Sequence, residues 1–436
     1  MVNYPTLKAE TIDPSSARNK IFIALIVIGL ASGSGFFLGH SLMKPSQILP
    51  LVGLFYLPWQ VAKHRLNYDR LALWLVLYIF LASFYNLPGL DKDQLIDFGY
   101  VLSTFFVYMA AYLSAGFVLK GSQFPAKLVL LLFAALFGLY LFQISTGTYF
   151  LPGADTDLPY SVTFNNSNDL DSFLVAFIPL ILFCVQRFKV SALTTLAVFF
   201  ALAMWVIVLG SRFCIVALFI IPFMFALFSR NYIVKLMLLS LAGFIGALLS
   251  QLNWKKILDG FSEVDNLVIS RSATRLALFL FDRENDKSSS YRVESYLYAI
   301  NNMDDAIFGV GTKNYDLFYA KGFGADTLVA FVPHSYLIEN MIAFGWAGLL
   351  LILLMLGTCL VPLLKDKALR FYGLTSFLLF LAVSFVPSTV IRMPLLWFPL
   401  FFFTCLARQS MFEFSWDSLP SALPPKHEQE LYRQAY

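Results

Sequence analysis

Residues 192–228 read ALTTLAVFFALAMWVIVLGSRFCIVALFIIPFMFALF, and Arg212 is their only charged side chain. Crossing the hydrocarbon core of a bilayer takes ~20 apolar residues as a helix. The stretch holds two such crossings joined by a turn at Ser211-Arg212. Lipid offers no partner to open backbone groups, so both runs are expected to be helical. A transmembrane barrel would show short alternating segments instead.

The same reading extends along the chain. It is 59% hydrophobic and only 13% charged, with mean hydropathy +0.72; a soluble domain is about a quarter charged. Apolar runs of spanning length predict about twelve transmembrane helices. They fall near 21–41, 46–62, 71–88, 98–119, 126–146, 172–187, 191–210, 213–229, 232–252, 337–364, 371–388 and 393–409. The fold class is an all-α polytopic membrane protein with a large helical loop. Residues 1–20 are an N-terminal tail, 21–252 hold helices one to nine, and 253–336 form the loop. Residues 337–409 hold the last three helices, and 410–436 are a C-terminal tail.

Basic residues in short loops set the orientation. One set of connections carries Lys63, Arg65 and Arg70, then Lys120 and Lys127, Arg187 and Lys189, Arg230 and Lys235, and Lys365, Lys367 and Arg370. The opposite set carries Lys44, Lys92, Arg212 and Arg392, one per connection. The bias places both termini in the cytoplasm. The long loop then faces outward, with Arg212 and Arg392 at the same surface.

No basic patch interleaved with aromatics points to nucleic acid. The four cysteines, Cys184, Cys214, Cys359 and Cys405, all fall in apolar runs. They read as small buried hydrophobes, with neither a disulfide framework nor metal-ligand spacing. Gly309-Val310-Gly311 resembles part of a dinucleotide fingerprint, but no strand precedes it. Within the loop, Val293, Tyr296, Leu297 and Ile300 follow the spacing of an amphipathic helix.

Three outward residues carry chemistry. The guanidinium of Arg212 presents a planar fork of donors suited to phosphate oxygens; the plain alternative is an interfacial anchor. Arg292 opens the amphipathic helix, where a cation gains nothing from the helix dipole; the plain alternative is a solvated loop arginine. His334 heads the helix after Pro333 and can exchange a proton near neutral pH; the plain alternative is a structural histidine at a helix start. His64 and His427 lie on the cytoplasmic side, and His40 near the outer end of the first span.

In order and place these pieces resemble the O-antigen ligase and polymerase family of bacterial envelope glycan transferases. The resemblance covers about residues 160–400. It rests on Ser211-Arg212 between two spans, Arg292 opening a loop helix, and Gly309-Val310-Gly311-Thr312-Lys313-Asn314-Tyr315. His334-Ser335-Tyr336-Leu337-Ile338-Glu339-Asn340 follows, then Gly345-Trp346-Ala347-Gly348. The asparagine turn at Asn165 to Asn168 and Arg392-Met393-Pro394 are similar to further family features. The family often has asparagine after the histidine, where this chain has Ser335.

The resemblance implies a multi-pass protein of the bacterial inner membrane acting on the periplasmic side. The implied reaction is a metal-independent, inverting glycan transfer needing no cofactor. The donor would be a glycan on undecaprenyl diphosphate, and the acceptor the lipid A-core sugar or another lipid-linked glycan. Arg212 and Arg292 would hold the diphosphate, with Arg392 as a third contact, and His334 would act as general base. A ligase outcome is preferred to a polymerase outcome. From another class, a lipid-linked glycan flippase would call for charged or broken spans near the midplane. The spans here carry few ionisable residues.

Overall fold

The computed structural model describes residues 17–31, 70–86, 92–147, 167–228, 253–264, 287–312, 335–387 and 390–416, with positions 162, 164, 270, 273, 274, 277, 281, 314, 315, 318 and 319 between them. Among these residues every regular element is a helix. In chain order they are α1 (Ala17–Ala31), α2 (Arg70–Asn86), α3 (Lys92–Leu119), α4 (Phe124–Thr146), α5 (Ser167–Arg187) and α6 (Ala192–Leu209). Then come α7 (Arg212–Leu218), α8 (Ile220–Phe228), α9 (Trp254–Ser262), α10 (Lys287–Asn301), α11 (Tyr336–Lys365), α12 (Arg370–Val383) and α13 (Trp397–Trp416).

The helical class is as expected. Five of these helices are long and apolar enough to cross a membrane: Gln94–Leu119, Phe124–Thr146, Ser167–Arg187, Ala192–Leu209 and Tyr336–Lys365. The apolar helices Arg70–Asn86, Arg212–Phe228 and Arg370–Val383 are shorter. The expected spans at 46–62 and 232–252 lie outside the described residues, and the first is described only to Ala31. The expected span 213–229 is two short helices that meet at Phe219. Helix α13 runs on to Trp416, past the expected end at 409.

Helices α3 and α5 form the buried centre, and α13 packs along α3. Ala110, Ala111, Ser114 and Ala115 of α3 are fully buried, as small residues are where helices approach closely. Tyr108 of α3 meets Phe401 of α13 edge-on at 5.8 Å. Phe177 of α5 stacks with Phe398 of α13 at 6.0 Å. Helices α4 and α6 instead turn apolar side chains outward, including Leu131, Leu141, Leu193, Phe200 and Met204. An apolar outer surface of this extent suits lipid rather than water. The four cysteines are buried, as expected.

Helix α11 is interrupted. Gly345 adopts φ 69°, ψ −165°, dividing the run into an opening segment and a long apolar segment. That conformation is open essentially to glycine alone.

Candidate functional site

The turn bearing Arg212 is built by its neighbours. Gly210 ends α6 in the left-handed conformation at φ 79°, returning its N–H to Val206 O. Ser211 is extended, and α7 starts at Arg212. Ser211 is buried, so its N–H has to find a partner inside the bundle. Asp171 Oδ2, from α5, accepts it at 2.9 Å. Two residues beyond Arg212, Cys214 is buried with its Sγ 4.0 Å from Ser172 Oγ.

Arg292 comes to this same turn from a distant part of the chain. Its guanidinium carbon lies 6.0 Å from the centre of the Phe213 ring, at the edge of cation–π range. It is also within electrostatic reach of Cys214. Arg292 therefore comes to the turn where Arg212 opens α7: it lies by Phe213, the residue that follows Arg212. One helical turn beyond Arg292, Tyr296 packs edge-on against Phe385 at 6.1 Å. Burial pushes the Tyr296 phenol up to about 12, against the pull of the Arg292 charge beside it.

Helix α10 differs from expectation in where it starts and which face it buries: it begins at Lys287, so Arg292 lies inside the helix rather than opening it. Val293, Leu297 and Ile300 are each more than half exposed, while Ser295 and Ala299 are buried. Tyr298, Phe318, Tyr319, Met341 and Ile342 join Ala299 in a small separate core under the loop. Small and aromatic residues fit the gap between α10 and α11, which the expected aliphatic stripe does not enter.

His334 lies outside the described residues, as do His40, His64 and His427. Its successor Ser335 is buried, and the Ser335 carbonyl accepts the Glu339 N–H at 2.7 Å to start α11. Tyr336 N–H donates to Ser384 O at 3.3 Å. Ser384 precedes Phe385, the ring partner of Tyr296. The opening of α11 and the helix of Arg292 thus meet at one turn after α12.

Arg392 belongs to a second cluster. Its Nε donates to Asp97 Oδ1 at 2.7 Å. Glu339 of α11 is buried; its Oε2 accepts from the N–H groups of Val390 (2.9 Å) and Ile391 (3.1 Å), and its Oε1 from Tyr315 OH (3.4 Å). Burial works against the charge of Arg392, but Asp97 outweighs it and holds the guanidinium pKa above its ordinary value. Burial raises the Tyr315 phenol, and the anions of Glu339 and Asp97 raise it further. Beside this cluster, Tyr78 OH donates to Asn340 Oδ1, and Thr312 OH to Asn86 Oδ1 at 2.8 Å.

The glycine motif has a structural task. Val310 N–H donates to Ile342 O at 2.8 Å and Gly311 N–H to Ala343 O at 2.9 Å, while Trp346 N–H donates to Ile307 O at 3.1 Å. The break at Gly345 disrupts the ordinary helical pairing, and these three bonds replace it. A Cβ on Gly309 would stand 2.6 Å from Ala343 O and from Gly345 N. The opening segment of α11 is held at both ends: by Ser384 and Glu339's partners at one, and by the 307–311 strap at the other.

Compared with known proteins, residues 170–353 match the family model described as O-antigen ligase. No curated protein matches the chain. The matched stretch begins one residue before Asp171 and ends just past Gly348. It includes Arg212, Arg292, the glycine strap, His334 and Glu339; Asp97 and Arg392 fall outside it. Sequence reasoning passed over Asp97, Asp171 and Glu339. The available signal was an acidic residue at the edge of an apolar run, where an unpaired charge is costly. Their partners are backbone amides or residues far along the chain, which no local pattern displays.

Proposed function

We propose that this protein is a ligase-type membrane glycosyltransferase that moves a glycan from undecaprenyl diphosphate to a lipid A-core sugar. The transfer is inverting and metal-independent, in the inner membrane, with the site on the periplasmic face and both termini in the cytoplasm. His334 takes the proton from the acceptor hydroxyl. The hydroxyl oxygen bonds to the anomeric carbon as the bond to the diphosphate oxygen breaks. Arg212 and Arg292 hold the charge that grows on the departing diphosphate. A diphosphate is already a good leaving group, and two fixed guanidiniums away from water stabilise it. Arg392, with Asp97 and Glu339 offsetting its charge, is the weaker phosphate contact.

The observation that supports this reading most is the meeting of Arg292 with the Arg212 turn, inside a stretch matched to the O-antigen ligase family. A cation brought to the turn where Arg212 starts a helix suits a site for a lipid-linked dianion. The same family match supports a polymerase that joins lipid-linked repeats as the second reading.

The test is a lipopolysaccharide gel from a strain lacking the gene, beside a complemented strain. Core bands without O-antigen, with polymer retained on the carrier lipid, uphold the ligase. Core bearing a single repeat, with the ladder gone, assigns the polymerase. An unchanged ladder overturns both for O-antigen and points to another envelope glycan or a redundant enzyme, and the flippase reading is then tested by following lipid-linked glycan across the membrane.

A further inference from the structure

We infer that Asp171 is a positioning residue for Arg212, acting through the backbone of the turn between them. This rests on the diphosphate-binding reading of Arg212. Asp171 is fully buried in α5, among Leu170, Phe173 and Leu174 of an apolar helix. Its Oδ2 accepts the Ser211 N–H at 2.9 Å, immediately before Arg212. Its Oδ1 is buried and makes no hydrogen bond among the described residues.

A carboxylate with an unused buried oxygen is a costly side chain to keep in an apolar helix. Packing alone would be served by leucine, which has a similar shape. What leucine cannot do is accept the Ser211 N–H. That N–H lies where the chain reverses between Gly210, at φ 79°, and the first residue of α7. Rotation of this turn would change the direction in which the Arg212 side chain leaves the start of α7. Asp171 therefore fixes which way Arg212 leaves the turn. The same construction recurs at Glu339, which accepts the two N–H groups just before Arg392.

The experiment uses the purified full-length protein in lipid, with an undecaprenyl-diphosphate-linked glycan as donor. Asp171→Leu and Asp171→Asn are compared, alone and combined with Arg212→Ala. Two quantities are read: kcat/KM for the donor, and amide hydrogen exchange of the peptide containing Ser211. Asp171→Leu is expected to lower kcat/KM on the order of 10- to 100-fold, the usual scale for a misplaced binding group. In the Arg212→Ala background the same change should cost less than about twofold, because the two act as a unit. Asp171→Asn keeps a carbonyl acceptor and should remain within about threefold of the unaltered protein. Exchange at Ser211 should quicken with leucine and not with asparagine.

Equal losses in both backgrounds would overturn the inference, as would an asparagine variant as impaired as leucine. If Arg212→Ala transfers at the full rate, the diphosphate reading fails on its own. Exchange then decides the inference: faster exchange in Asp171→Leu upholds it, and unchanged exchange overturns it. Should Asp171→Leu not accumulate in the membrane, Asp171→Glu, one methylene longer, takes its place in the same comparison.

Discussion

Asp97 and Arg392 meet at 2.7 Å across 295 residues of sequence, the carboxylate 3% exposed and the guanidinium 46%. The pair joins the start of α3 to the turn before α13. Removing Arg392 strands a buried carboxylate, whereas removing Asp97 leaves a cation that still reaches water. Arg392→Ala should therefore destabilise the protein more than Asp97→Asn does. For a half-exposed partner the loss is about 1–3 kcal/mol, below the range for a fully buried pair. Thermal unfolding in detergent ranks the two variants. Equal melting temperatures of the two variants would overturn this ranking, and melting at the unaltered protein's temperature would mean the pair adds nothing to stability.

The strap over α11 predicts a sharp contrast among glycines. Gly345→Ala places a Cβ against Ile307 O at a positive φ, and Gly309→Ala meets Ala343 O in the same way. Each should cost at least about 1–3 kcal/mol from backbone strain alone. Gly357, in the exposed part of α11, has open space at its Cβ. Gly357→Ala should be neutral or stabilise by up to ~1 kcal/mol, following helix propensity. Accumulation in the membrane and melting temperature distinguish the three.

Arg212→Ala and Arg292→Ala are each expected to lower the transfer rate on the order of 100- to 1000-fold, the scale for losing one stabiliser of developing charge. Lysine keeps the charge but not the planar fork, so Arg→Lys should recover little. His334→Ala should abolish transfer while leaving donor binding in place. Transfer at the unaltered rate by any of the alanine variants would remove that residue from the site.

Chelation is the check on metal-independent chemistry. With two guanidiniums holding the diphosphate, activity is expected to persist in EDTA. A loss that magnesium restores would require a cation in the reaction and would reassign the role of the arginines.

How much of this was legible differs from residue to residue. Hydropathy predicts helices, because a chain with so few charges has no other way to pair its backbone within lipid. Arg212 stood out for the same reason: a lone cation between apolar runs is costly, so its presence marks a surface or a site. The second and ninth expected spans fall outside the described residues.

The sequence by itself determined the helical membrane class and marked out Arg212, since hydropathy and isolated charge are local properties; Arg292 was marked out by the family resemblance. Tertiary structure alone decided that Arg292 sits by Phe213, that Asp171 accepts the Ser211 N–H, and that Glu339 holds the turn before Arg392. It also decided that Gly309-Val310-Gly311 straps a broken helix and that α10 buries Ser295 and Ala299 rather than its aliphatic stripe. These are pairings between backbone groups and side chains far apart along the chain. Every polar group buried in an apolar bundle must find a partner, and which partner it finds depends on how the helices pack.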